Sequence, residues 1–275
     1  MANRTNTYYQ KPTVMNTPNI SISGMIAGLV LLVPVVLVVW RLQLGFNKKL
    51  LLAVGRMLVQ LGFVAVYLIY IFRLDNPLIN IAYVFMMVFF AALSGIKNAA
   101  MRLRSFLWST FLSMFVPTLF TMLYFNLFIT QLSNLFQASI FIPIAGMMLG
   151  NILRSNIVAL KSFFNQVQTQ EKVYQYLLAT GASRYEALQP FLKEAIRTAM
   201  APNIATMATA GLVSLPGVMT GQILGGSDPV LAVKYQIMVM VVLFVTGLAS
   251  ILLQLFFAIR QCFDKHDQFD KSMLQ

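Results

Sequence analysis

Acid–base and soft-ligand chemistry is scarce in this sequence. One histidine (His266), one cysteine (Cys262) and eight carboxylates are all that 275 residues hold. Paired catalytic acids or a nucleophile–base dyad have little material, and one cysteine excludes both an internal disulfide and a Cys-rich metal cage. Cys262 and His266, at i and i+4 and near Asp267 and Asp270, have the spacing of metal ligands. A solvated C-terminal tail is the simpler reading of the same residues. Seventeen methionines offer thioethers that suit Cu(I). Methionine is also an ordinary filler of apolar packing, and that is how Met86-Met87 and Met147-Met148 read. No metal site and no cofactor held by the chain itself are expected. No G-x-x-x-x-G-K-[ST] loop is present and no glycine precedes a lysine, so ATP is not bound by that route.

Polar groups sit inside long apolar runs instead. Gly55-Arg56, Gln60 and Tyr67 fall on one helical face. Arg56 and Gln60 either snorkel and bond a neighbouring helix, or line the inward mouth of a path or brace the cytoplasmic loop. Pro143 frees a carbonyl, Gly146 and Gly150 form a GxxxG pair, and Asn151 follows. These serve close helix packing or, at Asn151, the path. The run from Ala201 to Gly226 is the most polar. Asn203, Thr206, Ser214 and Thr220 trace a small hydrogen-bonding face, Gly217, Gly221 and Gly225 repeat every four residues, and Pro216-Gly217 predicts a break in the helix. Broken spans are tolerated only where they are buried in protein or water-lined, and transporter sites are often built on them. Pro216, Gly217, Thr220 and Gln222 are therefore candidate path residues, against the plainer reading of a central helix packed by its glycines. Asp228, ahead of Pro229, either receives a departing cation or starts a helix.

The elements that must position these groups follow from composition. The chain is 59% hydrophobic and 10% charged, against about 25% charged in an ordinary soluble domain. That excludes a soluble enzyme. A bilayer span needs about 20 mostly apolar residues. Seven stretches qualify: Ile22–Trp40, Leu50–Phe72, Leu78–Gly95, Ser105–Phe125, Leu135–Leu153, Met200–Leu224 and Leu231–Ile259. The first follows a polar Asn/Thr-rich tail and reads as a retained span rather than a signal peptide.

Charge then sets direction. Sixteen of the twenty basic residues fall on one side of the seven spans; Arg4, Lys11, Arg73 and Lys234 fall on the other. By the positive-inside rule the N-terminus is outside and the C-terminus cytoplasmic. The net charge of +12 thus reflects orientation, not nucleic acid. The expected fold is an all-α integral membrane protein of about seven transmembrane helices. No carboxylate lies deep in any span, whereas a proton- or sodium-coupled carrier usually keeps one.

One connection is long. Residues 154–199, cytoplasmic by charge, hold two short amphipathic helical patterns joined at Thr180-Gly181-Ala182-Ser183. Ser183 with Glu186 is a capping-box pair, and Pro190 is expected to kink or end the second helix. The loop either lies on lipid or docks a cytoplasmic subunit.

The run Gly211-Leu-Val-Ser-Leu-Pro-Gly-Val-Met-Thr-Gly-Gln-Ile-Leu-Gly-Gly, then Asp228-Pro229 and Ala232 to Val239, resembles the FetB family of ABC-transporter permeases. Ile142 to Met147, Gly150-Asn151, Gly55-Arg56, Gln60-Leu61 and Gly181-Ala182 match it too, so the resemblance spans about residues 50–240. It implies a permease that works with a separate cytoplasmic ATPase of the FetA type, which would use the ATP. Bacterial members are described as iron exporters tied to oxidative-stress resistance. Plant relatives are linked to aluminium tolerance, with a nucleotide sugar proposed as cargo. The stretch from Glu171 to Pro190 then resembles an ABC coupling helix, with Glu171, Gly181, Ala182, Ser183 and Glu186 as coupling residues. On this reading 1–21 is an extracellular tail, 22–260 the permease domain with its coupling loop at 154–199, and 261–275 a cytoplasmic tail. The expected assembly is a homodimer in a lipid bilayer on two ATPases, exporting iron or another metal. The rivals are an ATP-independent channel or carrier, an ABC permease for a non-metal cargo, and an embedded enzyme or scaffold.

Overall fold

The computed structural model describes residues 20–132, 134–264 and 267–270. Most of the expected N-terminal tail, with Arg4 and Lys11, lies outside them, as do Lys265, His266 and Lys271. The described chain is helical. Its elements are α1 (Ile22–Val30), α2 (Leu32–Arg41), α3 (Asn47–Leu74), α4 (Pro77–Ala99), α5 (Leu103–Tyr124) running into a π-helix (Phe125–Ile129), α6 (Ala138–Thr169), α7 (Glu171–Ala179), α8 (Arg184–Thr209), α9 (Gly217–Leu224) and α10 (Pro229–Cys262).

Six segments among the described residues are long and apolar enough to cross a membrane: Ile22–Arg41, Asn47–Leu74, Pro77–Ala99, Leu103–Ile129, Ala138–Thr169 and Pro229–Cys262. The expected span Met200–Leu224 is not one helix. It is divided between the end of α8 and α9, with residues 210–216 non-helical between them. The interruption expected at Pro216-Gly217 thus opens earlier, at Ala210. The first apolar segment is itself split at Leu31. Pro34 has no N–H to bond the carbonyl of Val30, which ends α1 there.

The chain divides into two compact units. The first, residues 1–74 with 221–228, contains α1 to α3. Its helices are apolar around most of their circumference, and Val39 is the buried residue among them. The second unit, residues 75–220 with 229–275, holds the core. There α4, α5, α6, α8 and α10 pack together around Ile96, Phe106, Leu160, Phe163, Phe191 and Ile251. Apolar side chains gain little by leaving lipid for one another, so helices in a membrane associate through close packing and interhelical hydrogen bonds. Both are present. Gly95 lets α4 close on its neighbours: a Cβ there would stand 3.2 Å from Leu153 Cδ1 and 3.4 Å from Met114 Cε. Ser113 donates to Gln254 at 2.6 Å, Gln254 to Thr110 at 3.2 Å, Thr246 to Thr121 at 2.9 Å, and Asn156 to Ser250 at 3.0 Å.

Three expectations need correction. The connection at 154–199 is largely helix continuing from its flanks: α6 runs on to Thr169, and α8 begins at Arg184. At 1.5 Å per residue α6 is about 48 Å long, well beyond a hydrocarbon core of about 30 Å. Pro190 does not end the second helix, which continues through both Pro190 and Pro202 to Thr209. The exposed ring of Pro190 costs its helix roughly 3 kcal/mol, while Ala187, Leu188, Phe191 and Ala195 on the opposite face are buried and hold the helix in place. Finally, residues 263–264 and 267–270 are not a loose solvated tail. Phe269 stacks on Phe164 with ring centroids 5.7 Å apart, Phe263 meets Tyr174 at 5.6 Å, and Cys262 is fully buried.

Candidate functional site

The break between α8 and α9 has a local cause. Near the end of α8, Thr206 donates to the carbonyl of Pro202 at 2.8 Å and Thr209 to that of Ala205 at 2.9 Å. Gly211 then adopts φ +85°, a left-handed conformation that costs glycine little. Its N–H bonds Ser214 O at 2.9 Å, while Val213 N–H bonds back to Thr209 O at 3.0 Å. This hydrogen-bonded turn carries Leu212 and Val213 outward, 90% and 81% exposed. Pro216 follows, and its carbonyl accepts from Thr220 N–H at 3.1 Å to begin α9.

Beside this break lies a cavity of about 760 Å³ within the second unit. Helix α10 contributes Gln236, Val239, Met240 and Leu243, which are spaced i, i+3, i+4 and i+7 and so share one face. Helix α6 contributes Gly150, Asn151, Arg154 and Ser155; α8 contributes Asn203 and Thr206; and Pro216 and Gly217 close the end at the break. The polar lining is held in position. Asn151 Nδ2 donates to Leu243 O at 3.3 Å, and Asn203 Nδ2 to Ser155 Oγ at 3.2 Å. Gly247 on α10 is what admits both amides: a Cβ there would lie 3.5 Å from Asn151 Nδ2 and 3.8 Å from Asn203 Nδ2. Gln236 is 7% exposed, and its Oε1 is buried without a hydrogen-bond partner.

Of the expected path residues, the structure brings Asn151, Pro216 and Gly217 together on this cavity. Thr220 stands one turn into α9, where its hydroxyl donates to Pro216 O at 3.2 Å. Arg56 and Gln60 are exposed on α3 in the other unit, which also contains Gln222 and Asp228. Helix α10 begins at Pro229, directly after Asp228. Among the packing glycines, Gly146 meets Met87 Cε, which a Cβ would approach to 3.3 Å. Gly150, Gly217 and Gly221 have nothing within 4 Å of a built Cβ, and Gly225 meets only its own preceding turn. Ser155, Gln236 and Gly247 were not singled out from sequence. Their signal is small or amide side chains recurring on one apolar helix face, and it acquires meaning only once α6, α8 and α10 are known to adjoin.

A second constellation lies where α7 meets α8. Gly181 sits at φ +92°, and the N–H groups of Gly181 and Ala182 return to Leu178 O and Leu177 O at 3.0 and 3.1 Å. Ser183 caps α8 in a full capping box: its N–H and Oγ donate to Glu186 Oε2 at 2.8 and 2.6 Å. These bonds hold the Glu186 carboxyl below its ordinary 4.5. Glu171 opens α7. The C-terminal segment ties the pair down, with Arg184 bonded to Asp267 and to Asp264 O, and with Tyr174 Oη donating to Asp267 O at 2.8 Å. Burial first, then the Asp267 charge, pushes the Tyr174 phenol up to about 12, against a lowering by Arg184. Val173, Tyr176 and Tyr185 remain exposed on the outer faces.

The sequence profile of the uncharacterised protein family UPF0014 matches residues 21–263. The chain is 32% identical to the "probable iron export permease protein FetB" of Escherichia coli over 254 residues, covering 92% of this chain and 96% of that protein. It is 33% identical to the "UPF0014 membrane protein YjkA" of Bacillus subtilis over 71% of this chain and 76% of that one. It is 31% identical to the "protein ALUMINUM SENSITIVE 3" of Arabidopsis thaliana over 80% of each. No solved structure matches.

Proposed function

The chain belongs to the UPF0014 family of multi-pass membrane proteins, and from that premise we propose that it is the permease subunit of an ATP-driven transporter. The observation that carries this reading is the cavity between α6, α8 and α10. It lies beside the non-helical stretch between α8 and α9, and inside a bilayer such backbone polar groups persist only if they are buried or water-lined. Asn151, Pro216 and Gly217 form part of the path, and Thr220 positions the turn that closes it. The basic ends face the cytoplasm, and α8 with α9 forms the seventh crossing as two half-helices. In the other unit, Arg56, Gln60, Gln222 and Asp228 are further candidate path residues, by their polarity within or beside apolar runs.

Energy enters from a separate cytoplasmic ATPase of the FetA type. The α7–α8 turn, with Glu171, Gly181, Ala182, Ser183 and Glu186, is its docking element, and Val173, Tyr176 and Tyr185 offer exposed contact. Closure of two ATPases on a permease homodimer moves this turn. Because α8 is one 26-residue helix from Arg184 to Thr209, a displacement at Ser183 reaches the cavity along one continuous element. Iron or another metal is the cargo class that the relative's name suggests.

The test is reconstitution of the chain with and without a co-expressed phosphate-loop ATPase, measuring ATP-dependent flux. Gly217→Leu should leave assembly intact and abolish flux. Equal flux without ATPase or ATP removes the coupled reading in favour of a channel or carrier. Persistence of flux in Gly217→Leu removes the path assignment.

A further inference from the structure

The cavity also specifies what kind of cargo it accepts, an inference that rests on the permease reading and deepens it. Its size is the first indication. About 760 Å³ falls within the range of roughly 300–1,000 Å³ that encloses drug-sized organic molecules. A bare metal ion with oxygen ligands at about 2.0–2.6 Å needs a small fraction of that space.

Charge is the second. Arg154 is the one ionisable side chain in the lining, and among the described residues no three His, Cys, Asp or Glu side chains converge anywhere. A bare multivalent cation would enter a largely apolar space facing a fixed guanidinium and no carboxylate, where charge is costly unless it is paired. An anion meets the opposite situation, because guanidinium binds carboxylate and phosphate in a two-pronged geometry.

Shape is the third. Asn151 bonds Leu243 and Asn156 bonds Ser250, so α6 and α10 run parallel in register. Arg154 on α6 therefore lies about eleven residues along from Gln236 on α10, or about 16 Å at 1.5 Å per residue. The side chains between these ends are mostly aliphatic or thioether, among them Met147, Val239 and Met240. At the far end, the buried and unpartnered Oε1 of Gln236 needs a donor, which a ligand hydroxyl or N–H supplies.

We propose that the cavity binds an elongated organic anion, either free or wrapped around a metal ion, with its negative group at Arg154 and an uncharged donor at Gln236, and that it does not take a bare metal cation. A metal carried by this permease is therefore carried as an anionic chelate.

The test is equilibrium binding to the purified full chain in lipid nanodiscs, without ATPase, using ferric dicitrate, glucose 6-phosphate and ferrous sulfate as probes. The expected result is saturable binding of at least one of the two anions. Arg154→Gln should weaken it tenfold or more, and Arg154→Lys, which keeps the charge but not the two-pronged geometry, should lose less than Arg154→Gln, a graded order that a merely structural role for Arg154 would not produce. Binding of ferric dicitrate alone identifies the chelate as the source; binding of glucose 6-phosphate identifies the free anion. Saturable binding of ferrous ion that survives or tightens in Arg154→Gln overturns the proposal, as does failure of both anions to bind. Since no ATPase is present, these outcomes are independent of whether transport is ATP-driven.

Discussion

Over 28 residues α3 buries none of its side chains; over 32 residues α6 buries fifteen. Both are apolar enough to cross a membrane, so hydropathy alone does not separate them. The difference lies in polar residues that reach neighbouring helices. Asn151, Ser155 and Asn156 give α6 bonds to α8 and α10, whereas Arg56 and Gln60 leave α3 with exposed polar groups on an apolar rod. In lipid, where apolar surface alone does not drive association, such bonds and the small residues beside them decide which helices form a core. They also create the site, since the groups that hold α6, α8 and α10 together are among those that line the cavity.

The sharpest way to break this contrast is a matched pair of phenylalanines. Phe163 on α6 is fully buried and Phe63 on α3 is 69% exposed. Phe163→Ala should destabilise the purified protein by about 3–5 kcal/mol, measured as denaturation in mild detergent. Phe63→Ala should change it by less than about 0.5 kcal/mol. Equal losses would show that α3 is packed as tightly as α6.

A matched pair of glycines tests the same contrast with a smaller effect. At Gly95 a side chain meets Leu153 and Met114, whereas at Gly62 nothing lies within 4 Å. Gly95→Leu should cost about 1–3 kcal/mol through overpacking. Gly62→Leu should gain up to about 1 kcal/mol, because glycine is the poorer helix former. The same denaturation assay reads both, and opposite signs are the expected result.

These contrasts show what the sequence made legible. The apolar runs, the Gly181 turn, the Ser183–Glu186 cap and the interruption near Pro216-Gly217 all depend on neighbours within a few residues, and local patterning exposes them. The cavity does not. Asn151, Asn203 and Gln236 come from three helices, and nothing in their spacing announces that Gly247 lets two of them meet. Arg56 and Gln60 looked like Asn151 from sequence, each a polar group in an apolar run, but both stand exposed on α3 among the described residues. The docked C-terminal segment was missed for the same reason, since Asp267 and Phe269 acquire roles only against Arg184 and Phe164. Helix lengths were underestimated because polar residues mark where lipid ends, not where a helix does.

The helix caps give a third matched pair. The Ser21 side chain caps α1 by accepting from Gly24 N–H at 3.2 Å, whereas Ser183 forms the reciprocal box with Glu186. Ser183→Ala should cost about 1 kcal/mol, seen as faster amide exchange through the first turns of α8. Ser21→Ala should speed exchange only at the start of α1, with the rest of the chain unchanged. Spread of that effect into α3 would mean that the first unit is more cooperative than its burial indicates.

The smallest effect is a pH dependence confined to the α7–α8 end. Glu186 has its folded pKa below 4.5 because Ser183 donates to the charged carboxylate. A depressed carboxylate stabilises the folded state above its unfolded pKa, and that contribution disappears as pH falls through the folded value. Tyr174 works at the other extreme. Its phenol, raised from 10.0 to about 12, favours the folded state below pH 10 and loses that contribution as pH rises toward 12. Amide exchange corrected for intrinsic rates should therefore show the start of α8 loosening as pH falls below 4.5, and the Tyr174–Asp267 contact loosening above pH 10. Glu186→Gln should flatten the acid limb and leave the alkaline one, while Tyr174→Phe should do the reverse. If either variant flattened both limbs, the cap and the tail would form one cooperative device, and a force applied at Ser183 would be felt at Asp267 as directly as along α8.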